Sequence, residues 1–135
     1  MIKQNRTVIE EKNQIYLLDD DESVRKALKR LLGAYGFPVA AFTSADEFLD
    51  LVPHDATGCL ILDIHMPGMN GFQLQEALAA AGSRLPIIFI TADKDITIKE
   101  HALQAGVVGL LQKPFNDQAL IDLIHKALEK HEQKK

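Results

Sequence analysis

Five times between residues 15 and 128, a short apolar run gives way to a longer segment of helical period. Few folds accommodate that alternation, because it is the mark of repeated βαβ units. The runs are 15–18, 39–42, 59–62, 87–90 and 107–111. After the first, Val24, Leu28, Leu31, Leu32 and Tyr35 mark one helix face, and Gly36 stands where a helix stops. Ser44-Ala45-Asp46-Glu47 has the form of a capping box, so a second helix is predicted from there to about residue 52. Residues 65–71 are dense in turn formers, and the helix that follows is predicted over 72–81, with Leu74 and Leu78 on one face. A loop over 92–95 leads into a fourth helix that ends at Gly106. Pro114 cannot donate to a ladder and closes the fifth strand. Asn116 or Asp117 then caps a last helix with Leu120, Leu123, Ile124, Ala127 and Leu128 on a broad apolar face, and the polar tail from residue 129 is expected to fray.

Right-handed crossovers place these helices on both faces of a five-stranded parallel sheet, a doubly wound α/β fold. At 135 residues there is room for one domain. It is expected over 14–130, with a polar extension at 1–13 and a polar tail at 131–135. Net charge is −4, which argues against direct nucleic-acid binding or membrane-surface binding. No apolar run approaches the ~20 residues of a spanning helix, and residues 1–14 are too polar for a secretory signal, so a cytoplasmic protein is expected. The lone cysteine, Cys59, reads as a buried structural thiol. His54, His65, His101, His125 and His131 lack zinc-type spacing and read as surface or loop residues, His65 excepted.

Each of four apolar runs ends in a polar site: Asp19-Asp20, Asp63, Thr91 and, after the fifth run, Lys113. In open parallel sheets, groups at the carboxyl ends of strands converge on one crevice. Pattern alone leaves the strand order open, but the flavodoxin-like order 2-1-3-4-5 is one of two common solutions. It sets strand 1 beside strand 3 and makes Asp19, Asp20 and Asp63 neighbours. Three clustered carboxylates repel by about 4 kcal/mol per pair at 4 Å and an effective dielectric of 20, so cations must sit among them. Lys113 is one. Mg²⁺ suits the role of the second, held by Asp19, Asp20, Asp63 and the backbone carbonyl of His65. Asp63, alone at its strand end, is the expected nucleophile toward phosphorus. Lys113 and the Thr91 hydroxyl can meet phosphoryl oxygens, and the small Ala92 leaves the approach open.

The stretches Leu18-Asp19-Asp20-Asp21-Glu22-Ser23-Val24-Arg25, Leu62-Asp63-Ile64-His65-Met66-Pro67-Gly68-Met69-Asn70-Gly71, Ile90-Thr91-Ala92 and Leu111-Gln112-Lys113-Pro114-Phe115 resemble the receiver domains of two-component response regulators. The wording, with Phe42-Thr43-Ser44-Ala45-Asp46-Glu47-Phe48-Leu49, looks most like receivers of nitrogen-fixation regulators that carry a LuxR-type DNA-binding domain. The resemblance implies a flavodoxin-like fold in which Asp63 accepts a phosphoryl group from a histidine kinase or histidine phosphotransfer protein. It also implies that Asp19 and Asp20 hold Mg²⁺, that Thr91 is the switch hydroxyl and that Lys113 binds the phosphoryl group. A phosphorylation-dependent homodimer is a further expectation, with the downstream effector or fused output domain open. Such a chain is a signalling phosphoacceptor that assists its own phosphorylation and dephosphorylation, and not an enzyme.

One departure concerns output. The family usually has Tyr or Phe three residues before the lysine, where this chain has Leu110, preceded by an atypical Gly109. The chain ends where the receiver pattern ends, so either a receiver that stands alone or the receiver portion of a longer regulator is expected. Two alternatives to the phosphoacceptor are a receiver-like interaction module that is not phosphorylated, and a phosphohydrolase of the haloacid dehalogenase type. The latter normally needs a second carboxylate two residues after the nucleophile, where His65 stands.

Overall fold

The structure, a computed structural model, describes residues 13–133. Residues 1–12 of the polar extension expected over 1–13 lie outside the described residues, as do the side chains from residue 130 onward. Strands β1 (Ile15–Leu18), β2 (Val39–Phe42), β3 (Cys59–Asp63), β4 (Ile87–Thr91) and β5 (Gly109–Gln112) form one parallel sheet. Its order is β2-β1-β3-β4-β5. The connecting helices are α1 (Glu22–Ala34), α2 (Ala45–Leu51), α3 (Gly71–Ala80), α4 (Ile96–Gln104) and α5 (Asp117–Gln133).

Strand residues alternate between two cores, as the period of two requires. Ile15, Leu17, Cys59, Ile61, Ile88 and Ile90 pack against Leu28 and Leu32 of α1 and Leu120, Ile121, Ile124 and Ala127 of α5. Leu18, Leu60, Leu62 and Phe89 face the other way, toward Phe48 of α2, Leu74 and Leu78 of α3 and Ala102 of α4. Helices cover β3 and β4 on both faces, so every residue of these strands is buried, which favours apolar runs and leaves Asp63 and Thr91 as the buried polar exceptions at their ends. Cys59 is among the buried strand residues, and burial pushes its thiol pKa up, so it stays protonated and inert.

Local signals set the helix ends, with small departures from expectation. Asp21 caps α1 by accepting from the backbone N–H groups of Ser23 and Val24. The capping box at Ser44 is only half formed. Ser44 Oγ accepts from Glu47 N, but Glu47 Oε1 reaches one residue further back, to the N–H of Thr43. A complete box occurs instead at α3, between Asn70 and Gln73, so α3 starts and ends one residue earlier than predicted. Asn116 caps α5, accepting from Gln118 N at 2.7 Å. That helix continues to Gln133, through the segment expected to fray. Strand β5 starts at Gly109, two residues later than the apolar run suggests.

Candidate functional site

Ladder register decides what meets at the carboxyl edge. Leu18 pairs with Leu62 and Asp63 with Ile90, so the chain leaves β1, β3 and β4 at one level. One carboxylate oxygen from each of Asp19, Asp20 and Asp63 lies within 4.8 Å of the others. Asp19 is fully buried, Asp63 is 6% exposed, and Asp20 is open to solvent. Lys113 comes from the residue after β5 and inserts its ammonium between them. Its Nζ donates to Asp19 Oδ2 at 2.9 Å and lies 3.6 Å from Asp63 Oδ2. Thr91, 1% exposed, ends β4 beside this group.

The run Asp19-Asp20-Asp21-Glu22 divides its labour. Asp21 serves the helix: its carboxylate takes the Ser23 hydroxyl and backbone, and those bonds hold its pKa below the usual range. Asp19 and Asp20 are left for the crevice. Asp19 Oδ1 accepts from Asp21 N at 2.9 Å, and its carbonyl accepts from Arg25 Nη1 at 2.7 Å. Arg25 is thus tied to the backbone of the site, and Lys26 pairs with Glu22 at 3.4 Å.

Burial and the neighbouring Asp19 carboxylate push the pKa of Asp63 up to about 6, with Lys113 pulling the other way. Burial by itself lowers the pKa of Lys113, but its bond to Asp19 and the charge of Asp63 outweigh this and leave it raised. One ammonium therefore does not neutralise the cluster. Oxygen-only donors, clustered tightly and short of positive charge, fit a hard divalent cation such as Mg²⁺. No ring nitrogen or thiol shares the cluster, so a soft metal has no claim on it among the described residues.

His65 N donates to Asp63 Oδ1 at 3.3 Å, which orients the carboxylate. Its ring, exposed, makes a 3.0 Å contact from Nε2 to Asp93 Oδ2. Asp93, two residues past Thr91, escaped the sequence reading, because nothing in its local pattern distinguishes it from a loop acid. In the sequence Gly71 reads only as a turn former. A Cβ there would lie 2.8 Å from both Asp63 O and Ile64 Cα, so only glycine lets α3 start against the end of β3. Gly109 has a packing reason too, since a Cβ would meet both Leu123 methyl carbons at 3.0 Å. Leu110 is half-buried and packs on the α4 side of the sheet.

Residues 15–125 match the response regulator receiver domain. Response regulator protein TodT of Pseudomonas putida is 44% identical over 114 residues, covering 84% of this chain and 50% of that protein. Transcriptional regulatory protein FixJ of Bradyrhizobium diazoefficiens is 37% identical over 121 residues, covering 90% of this chain and 59% of that protein. The solved structure of response regulator StyR matches with a TM-score of 0.85 at 43% identity, covering 90% of this chain and 62% of that chain. The chain spans about half the length of the curated relatives it matches. With the family pattern running over nearly all of the described sheet and helices, the chain belongs to the response regulator receiver domain family.

Proposed function

We propose that residues 14–130 form a Mg²⁺-dependent phosphoacceptor domain of a two-component phosphorelay, with Asp63 as the acceptor. The observation that carries this is Lys113 bridging Asp19 and Asp63 inside a three-carboxylate cluster, with Thr91 at the end of the neighbouring strand β4. A histidine kinase or histidine phosphotransfer protein is the donor. An Asp63 carboxylate oxygen attacks the phosphorus of a phosphohistidine; the new P–O bond forms as the P–N bond breaks, and the imidazole nitrogen keeps the electron pair. Asp63 must be ionised to attack. With its pKa at about 6 in the metal-free site, most of it is ionised at pH 7 and above.

Asp19, Asp20, Asp63 and the carbonyl of His65 would hold the Mg²⁺, which when bound supplies positive charge to the transferring phosphoryl oxygens. Lys113 moves its ammonium from Asp63 to a phosphoryl oxygen, and Thr91 donates its hydroxyl to another. His65 N–H keeps the carboxylate oriented toward the incoming phosphorus. Beyond its own phosphorylation and dephosphorylation, the domain catalyses nothing. It works in the cytoplasm by changing which partner it binds, a second copy of itself or an output domain, and does not itself touch nucleic acid.

Incubation with Mg²⁺ and a small phosphodonor, followed by intact mass and peptide mapping, tests this. A single added phosphoryl mass on Asp63, absent from Asp63→Asn and from samples treated with a chelator, is the expected result. Stable absence of that mass in the unaltered protein, or its appearance at another residue, refutes it.

A further inference from the structure

Strand β2 forms one edge of the sheet, with β1 on its inner side. Ile15 N donates to Pro38 O at 2.9 Å, and in a parallel register that pairs Ile15 with Val39 this bond fixes which backbone groups point inward. Pro38 O, both groups of Ala40 and Phe42 N face β1, whereas the N–H and C=O of Val39 and Ala41 face away from the sheet. The next outward donor, Thr43 N, is taken by Glu47 Oε1 at 2.9 Å. Among the described residues nothing does the same for Val39 and Ala41, which leaves two donors and two acceptors in a row along the edge.

Sheet edges are normally protected by a charge, an internal proline or a bulge. Val39-Ala40-Ala41-Phe42 has none of these. Helices α1 and α2 pack on β2 from opposite faces of the sheet. They bring with them Tyr35, at the end of α1 and 50% exposed, and Leu49 and Leu51 of α2, the latter 66% exposed. The two helices are oppositely charged. α2 presents Asp46, Glu47 and Asp50 with no base, and α1 presents Lys29 and Arg30 in addition to the Lys26–Glu22 pair.

We propose that the β2 edge accepts an extended segment of a partner protein as a sixth strand, with alternate side chains acidic toward α1 and basic toward α2. Backbone bonds to Val39 and Ala41 supply attachment, and the opposed helix charges supply selection. Successive side chains of a strand point to opposite faces, so an alternating acidic and basic segment meets both helices in one register. A second copy of this chain is a poorer match. Closed two-fold pairing of two β2 edges is antiparallel, because a parallel ladder needs a one-residue stagger, and it sets α1 beside α1 and α2 beside α2. Like charge then meets like on both faces. Pairing at β2 uses none of the acceptor residues, so it stands or falls independently of phosphorylation at Asp63.

A disulfide-closed β-hairpin peptide whose free edge alternates Glu and Lys is the probe, titrated into the full ¹⁵N-labelled chain; closure removes most of the ordering cost of a linear peptide. The amides of Val39 and Ala41 should shift saturably and exchange with solvent about tenfold more slowly in the complex. Methylating the amides on the hairpin's free edge keeps every charge but removes the donors, and should weaken binding about tenfold. Ala41→Pro, at an edge position where proline is tolerated, should do the same. Asp46→Lys together with Asp50→Lys should weaken binding several-fold at low salt while leaving the backbone of β2 intact. No change at Val39 and Ala41 with millimolar hairpin, or equal affinity for the methylated hairpin, overturns the proposal. Slow exchange of those two amides in the chain alone overturns it as well, assigning the edge to a second copy if protection rises with protein concentration and to a segment of the same chain if it does not.

Discussion

Neutralising the acceptor should make the metal-free protein more stable. The Asp63 carboxyl titrates at about 6 in the fold against 3.8 when free. Between those values the native state holds a proton that the unfolded chain has lost, so stability falls as pH rises through that window. At about 1.4 kcal/mol per pH unit, the two-unit gap amounts to ~3 kcal/mol of destabilisation above pH 7. Asn has the same shape and no charge, and it leaves the 2.9 Å bond from Lys113 to Asp19 in place. Lys113 loses its second partner at 3.6 Å, and water reaches its 21% exposed side chain, so part of the gain is offset. The expected net gain for Asp63→Asn at pH 8 is about 1–3 kcal/mol, or roughly 5–10 °C in Tm. Thermal and urea melts with a chelator, at pH 4 and pH 8, measure it. The gain should shrink toward zero at pH 4, where the wild-type carboxyl is largely protonated. With Mg²⁺ present the order should narrow or reverse, because the wild type offers the cation one more anionic ligand. A variant less stable than wild type at pH 8, or a difference identical at both pH values, would refute the electrostatic account.

Asp20→Asn should weaken Mg²⁺ binding by about tenfold or more and shrink the metal-induced rise in Tm, since one of three anionic ligands is gone; an unchanged rise removes Asp20 from the ligand set. Gly71→Ala should cost about 2–3 kcal/mol in urea unfolding, because the added methyl meets backbone that cannot yield. It should also slow labelling of Asp63, whose carbonyl it displaces; wild-type stability would mean the approach of α3 to β3 is not tight. Reversing the charge of the exposed Lys29 and Arg30 should slow phosphoryl transfer from a protein donor by up to roughly tenfold at low salt, through encounter rate. Transfer from a small phosphodonor should be untouched, and equal slowing of both would show that these residues act on the site.

The periodicities of two and 3.6 are carried by contiguous residues, so the five strands, the five helices and the two apolar faces of the sheet follow from the sequence with ends shifted by a residue or two, apart from α5, which runs on to Gln133. The same holds for the placement of Asp19, Asp20, Asp63, Thr91 and Lys113 at strand ends. Tertiary structure decided what those ends do to one another. The register of β1, β3 and β4 sets Asp63 beside Asp19, and its burial together with that proximity lifts its pKa and calls Lys113 in across 94 residues of chain. Asp21 could not be told from its acidic neighbours by type; the start of α1 chose it as cap and freed the other two. Likewise the sequence marks Leu110 as a departure from the family pattern but gives Ile96, fourteen residues earlier, no distinction. That they face one cavity depends on where β5 and α4 pack, a relation between distant elements that no local pattern encodes.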